Sequence, residues 1–110
     1  MPFLKMMLIK VHFVMVKRRF IMRAVLTVIG KDRIGIIAAI SSILAESNVN
    51  ILDINQTIMQ DIFTMVMLTD ISKNKESFEV LSKKLEKKGE EIAMKVTLQH
   101  EDIFNSMHRI

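Results

Sequence analysis

The residues Val25-Leu26-Thr27-Val28-Ile29-Gly30-Lys31-Asp32-Arg33-Ile34-Gly35-Ile36-Ile37 decide how the rest of the chain is read. An apolar, β-branched run gives way to a polar loop, and the loop to a run of Ile, Ala and Ser. That order predicts a buried strand over Arg23–Ile29 turning sharply into a helix. Gly30 and Gly35, two of three glycines in the chain, bracket the turn, where a glycine permits positive φ or close backbone approach. Ile36, Ile37, Ile40, Ile43 and Leu44 then follow the i, i+3, i+4, i+7 spacing of a helix over Gly35–Ser47. Asp32, alone or with Arg33, is the expected N-cap, and Asn48 the expected terminator. The first N–H groups of such a helix lack partners and favour a carboxylate or phosphate over the loop. The same residues equally suit a strand-to-helix turn with no ligand.

Downstream the pattern stays regular. Asn50–Met59 and Ile62–Ile71 read as strands joined by a two-residue turn at Gln60-Asp61, forming an antiparallel hairpin. Ser72-Lys73-Asn74 offers capping groups for a second helix over Lys75–Lys88, with the stripe Phe78, Leu81 and Leu85 and with Gly89 at its C′ position. Glu91–His100 alternates cleanly, with Ile92, Met94, Val96 and Leu98 inward. Glu101–Ile110 is a tail with one or two helical turns. The order βαββαβ predicts an α+β, ferredoxin-like sandwich: a four-stranded antiparallel sheet with two helices on one face and the other face left uncovered by the chain. The first helix carries Glu46 as its one charge, and Ala38, Ala39, Ser41, Ser42 and Ala45 fill its other side. A helix so poor in charge is covered on more than one side, either by tight packing on its own sheet or by a second subunit.

Upstream of Met22 the pattern is lost. Residues 1–21 hold Lys5, Lys10, Lys17, Arg18 and Arg19 and no acid; of 16 basic and 12 acidic groups in the chain, 11 and 12 therefore lie in residues 22–110, a net of −1 against +4 for the whole. The basic average belongs to one appendage and is no signature of nucleic-acid or membrane binding. The apolar runs Met6–Ile9 and Phe13–Val16 are too short for a membrane span or a signal peptide. We divide the chain into an N-terminal extension (1–21), a domain (22–100) and a C-terminal tail (101–110). The extension is read as an upstream start or a loose arm, the alternative being an added edge strand over Leu8–Val16.

Motifs of catalysis are missing. Gly30-x4-Gly35 continues with Ile36-Ile37 where a P-loop needs Lys and Ser/Thr, and no Gly-x-Gly-x-x-Gly is present. Without cysteine there is no disulfide or thiolate chemistry. His100-Glu101-Asp102 and His108 lack the spacing that converges on a metal. Ser41 and Ser42 have no histidine near them in sequence. Asp53, Asn55 and Gln56 interrupt the apolar pattern of the second strand and mark either a polar pocket or the solvent side of an edge strand.

The run Val28-Ile29-Gly30-Lys31-Asp32-Arg33-Ile34-Gly35-Ile36-Ile37, followed by Val49-Asn50-Ile51 in a βαββαβ chain, closely resembles the ACT domain. It is most similar to the small stand-alone ACT-domain proteins and to the related domains of the glycine-cleavage regulator and of formyltetrahydrofolate deformylase. The resemblance spans Met22 to about Ile110. It implies a cytoplasmic, non-enzymatic regulatory module without cofactor, a homodimer or higher homo-oligomer joined through edge strands with first helices adjacent. An amino acid or related metabolite would sit between subunits over the first loop. By position Asp32 matches the loop residue that grips the effector, and Arg33 belongs to the same motif. Gly35 and Ile36 match the backbone it approaches, and Asn50 a residue from the partner subunit. Ile34 stands where many members have proline and Gly30 where serine-binding members have histidine, so the serine contact set is incomplete. A chain of this kind would act on an enzyme or regulator in trans. The alternative function is a ligand-free interaction module working through its sheet face or edge.

Overall fold

Strict alternation in three strands builds the core. Ala24, Leu26 and Val28 of β1 (Arg23–Lys31), Phe63, Met65 and Met67 of β3 (Ile62–Asp70), and Met94, Val96 and Leu98 of β4 (Met94–His100) all point to one face and are buried. The computed structural model describes residues 22–107; the expected N-terminal extension or added strand, and His108, lie outside them. The sheet is antiparallel throughout, in the order β2-β3-β1-β4, with β2 spanning Asn50–Met59. Leu26 faces Met67 on one side and Leu98 on the other. Helices α1 (Ile36–Glu46) and α2 (Phe78–Glu91) close this face, their Ile36, Ile40, Leu44, Leu81 and Leu85 joining one hydrophobic cluster. Burial of each such side chain contributes about 1.5–3 kcal/mol. The ferredoxin-like βαββαβ arrangement is thus present.

Several local expectations hold. Gln60 and Asp61 both have positive φ, 48° and 73°, the signature of the type I′ turn whose twist suits a two-residue hairpin. Asn48, at φ 61°, ends α1 in a left-handed cap. Its N–H donates to Ala45 O and the N–H of Val49 to Leu44 O, which satisfies carbonyls the helix end leaves open.

Others are corrected. The N-cap of α1 is Gly35, not Asp32 or Arg33, and no side chain caps the helix. Helix α2 starts at Phe78, where Ser77 Oγ accepts from the Val80 N–H at 3.2 Å. Asn74, expected to cap, instead closes its own loop through Glu76. Gly89 lies buried inside α2 rather than beyond its end, and the left-handed residue after the helix is Ala93, φ 57°.

The second face of the sheet is not wholly bare. Helix α3 (Glu101–Met107) turns back over it beside β1 and β4. Gln99 Nε2 contacts Met107 Sδ at 3.2 Å, and Val25, which points to this face, is 5% exposed. Arg23 Nε and Nη2 donate to Oε2 and Oε1 of Glu101, each at 2.8 Å. The Arg23 hydrogen bond holds the Glu101 carboxyl below its ordinary range against a smaller effect of desolvation. The pair is partly solvated, so Glu101→Gln should cost at most about 1 kcal/mol. A carboxyl with a lowered folded pKa stabilises fully above its ordinary value near 4.5 and loses that contribution as pH falls through its folded value. Urea midpoints of the wild type and Glu101→Gln should therefore differ at pH 7 and converge in acid.

Candidate functional site

The loop between β1 and α1 forms one wall of a cleft of about 340 Å³. Two contacts set its shape. The Asp32 N–H donates to Asp61 O at 2.6 Å, tying the loop to the hairpin turn. Gly35 then takes φ 92°, ψ 3°, a left-handed conformation that side chains resist. A Cβ built on Gly35 would meet nothing within 4 Å, so a ligand's approach here is unobstructed.

Asp32, Arg33, Gly35 and Ile36, four of the expected site residues, line this cleft together. Ile37 and Ala38 continue the wall, and Gln56, Ile58 and Phe63 of the hairpin form the other side and floor. With Gly35 as an uncapped start and no acid in its first turn, α1 presents the N–H groups of Ile36, Ile37 and Ala38 without intrahelical acceptors. The site thus offers partial positive charge from the helix, a guanidinium and a carboxylate within one small cleft. Those are the handles a zwitterion needs. Ile34 at the loop tip is fully exposed, as are Ile37 and Ile58 in large part, so the rim is apolar.

Asn50 is not brought to this cleft within one chain. It heads β2 opposite Asp70, at the far end of the strand from Gln56 and Ile58. The residues that sequence reasoning did not assign to the site are Ile37, Ala38, Gln56, Ile58 and Phe63. A signal existed for Gln56, whose polarity breaks the strand pattern. Its face is set by a β-bulge between Ile51 and Asp53, which puts Asp53 and Asn55 opposite Leu68 and Val66 on the outer face and Gln56 opposite Met65 on the inner.

A smaller hollow of about 240 Å³ is lined by Met22, Arg23, His100, Glu101 and Asp102. Its charges are largely spoken for: Arg23 pairs with Glu101, and the His100 ring stacks on Phe78 with centroids 4.1 Å apart. Among the described residues no group of three or more His, Asp or Glu side chains is placed to hold a metal, and no helix is long and apolar enough to cross a membrane.

The described residues thus form a ferredoxin-like sandwich with a small cleft at its first strand-to-helix loop. The chain belongs to the ACT domain family, whose model matches residues 22–99. ACT domains are generally small-molecule-binding regulatory domains and commonly dimerise. A UPF0237 protein of Methanocaldococcus jannaschii is 60% identical over 88 residues, covering 80% of this chain and 98% of that protein. Among solved structures, an ACT domain protein from Streptococcus pneumoniae superposes with a TM-score of 0.67 at 38% identity, over 76% of this chain and 93% of that one. A putative glycine cleavage system transcriptional repressor (TM-score 0.62, 21% identity, 73% of this chain and 46% of that one) shares the fold. So does a formyltetrahydrofolate deformylase from Pseudomonas syringae pv. tomato (0.68, 18%, 82% and 32%).

Proposed function

We propose that this protein is a metabolite-sensing regulatory ACT-domain protein that binds an amino acid or related small metabolite at a homodimer interface, and that it acts in trans on an enzyme or regulator. The observation that carries the reading is the cleft itself. It gathers Asp32, Arg33 and the uncapped start of α1 in one place, with Gln56 and Ile58 on its β2 side.

That side supports the dimer. Among the described residues β3 is the one neighbour of β2, and no other strand pairs with its outer row of backbone groups. Leu52, Ile54, Ile58 and Met59 are 42% to 73% exposed along it. Exposed apolar edges of this kind are templates for pairing with another strand. A two-fold antiparallel pairing of β2 with its copy sets the start of one strand beside the end of the other. Asn50 of the partner subunit would then stand at the end of β2 that carries Ile58 and the cleft, and the site of each subunit would be completed by the other.

A thermal-shift screen of amino acids and folate derivatives tests the reading. A ligand at 100 times its Kd adds about 2.7 kcal/mol, which for a domain of this size raises Tm by about 10 °C or more. Asp32→Ala should leave the unliganded Tm within about 2 °C, since an exposed side chain away from the core contributes little, and should remove most of the ligand-induced rise. A flat response to the whole panel, with a defined protein recovered in pull-down, would favour the ligand-free interaction module instead.

A further inference from the structure

Gln56 is the polar exception on the inner face of β2. The residues that share that face, Ile51, Ile54 and Ile58, are apolar, and its cross-strand partner Met65 is fully buried. Were the strand regular from its start, the face occupied by Asn50 would be the one Gln56 occupies; the bulge at Leu52 shifts the alternation and turns Gln56 inward instead. Gln56 lines the same cleft as Asp32 and Arg33, from β2 where they come from the loop. Its amide hydrogen-bonds to no described residue. A carboxamide left free in this way keeps two donors and one oxygen acceptor for whatever enters the cleft.

We infer that Gln56 reads the far end of the ligand, so that the cleft selects amino acid–like molecules whose side chains end in a hydroxyl, amide or carboxylate over aliphatic molecules of the same shape. The assignment rests on the reading of the cleft as a metabolite site, and divides its labour. The loop, with Asp32, Arg33 and the start of α1, holds the charged groups common to all amino acids, and is blind to the side chain. Apolar walls at Ile37, Ile58 and Phe63 favour bulk without distinguishing an OH from a CH₃. Gln56 alone among the cleft residues on β2 and β3 can make that distinction. In a sealed pocket an unpaired amide would reject the aliphatic isostere very strongly. Gln56 is exposed at a strand edge, where water replaces the missing partner, so the discrimination expected is about 10-fold.

The test is titration calorimetry on the full chain with three near-isosteric pairs: threonine and valine, asparagine and leucine, glutamine and methionine. The wild type should bind the polar member of at least one pair about 10-fold more tightly. Gln56→Leu should abolish or reverse that preference while the aliphatic member binds as well as before or better, and Gln56→Asn should retain part of it. Because Gln56 is exposed, the unliganded melting temperature of both variants should match the wild type, which separates a change of selectivity from a change of fold. Equal weakening of both members of a pair by Gln56→Leu would overturn the assignment, as would a wild type that binds without preference or binds none of the six. The sensor reading is decided separately, by the wider panel and by Asp32→Ala.

Discussion

Replacing Gly89 by alanine is expected to destabilise the protein, although helix propensity argues the reverse. Gly89 lies inside α2, where Ala is worth about 0.8–1 kcal/mol more than Gly. A Cβ at this position would sit 2.6 Å from the Met94 carbonyl oxygen and 2.6 Å from Val96 Cγ2. The valine methyl could move; the carbonyl could not easily. Met94 is paired with Gly30 of β1 at the start of β4, and its side chain is itself in the core. Relief therefore means pushing α2 away from β4 and loosening Leu81, Leu85 and Val96 together. Overpacking of this kind costs about 1–3 kcal/mol, which exceeds the propensity gain over most of its range. Because one of the two clashes is with backbone, the upper half of that range applies, and we expect a net loss of about 1–2 kcal/mol for Gly89→Ala and a larger one for Gly89→Val, whose β-branched side chain adds bulk at the same contact. In a thermal melt the alanine variant should fall by roughly 5–15 °C. An unchanged or raised midpoint would show that the helix-to-strand spacing yields freely and that Gly89 is not required there.

Gly89 also shows where sequence reading stops. In the chain it is indistinguishable from a C′ glycine: it follows a helical stripe and precedes a strand. Its actual role is a close approach between two elements, a property of three dimensions. Features written in neighbouring residues were legible: the hairpin at Gln60-Asp61, the terminator Asn48, the strand β2 over Asn50–Met59, and the βαββαβ order. The loop half of the candidate site was legible for the same reason, since Asp32 to Ile36 are contiguous. Its β2 half was not. One bulged residue, Leu52, reverses the alternation, and without it Gln56 cannot be assigned a face. Asp is a good cap in general, and nothing local marks Gly35 as the residue that starts α1 with no side-chain cap. The docking of α3 includes the pair of Arg23 with Glu101, 78 residues away, which no local pattern encodes.

The other large effect concerns the edge on which the proposed site depends. Ile54→Lys should weaken self-association by at least about 100-fold, or about 2.7 kcal/mol. Edge strands are ordinarily guarded by lysine, proline or brevity. Strand β2 has ten residues and neither lysine nor proline; the bulge at Leu52 and Asp53, its one charge, are the guards it carries, and both lie in its first half. Asp53 does occupy one backbone donor, accepting from the Ile54 N–H at 2.8 Å, but the apolar row beside it stays open. Ile54 is next to the strand's midpoint, so a two-fold pairing centred on β2 brings the two Ile54 side chains close together, and lysine there sets like charges side by side. The monomer tolerates the change. Ile54 is 42% exposed, and a lysine stem covers apolar surface while its ammonium reaches water. Sedimentation velocity over a dilution series should show a wild-type dimer and a monomeric variant, with part of the association recovered at high salt as the repulsion is screened. Equal association of both chains would remove β2 from the interface. The ligand response carries the sharper consequence. If Asn50 of the partner subunit completes the cleft, the monomeric variant loses most of its thermal shift even though Asp32, Arg33 and Gln56 are untouched. A full shift in the monomer would mean that one chain holds the whole site, and the dimer would then have to serve the output of the signal rather than its reception.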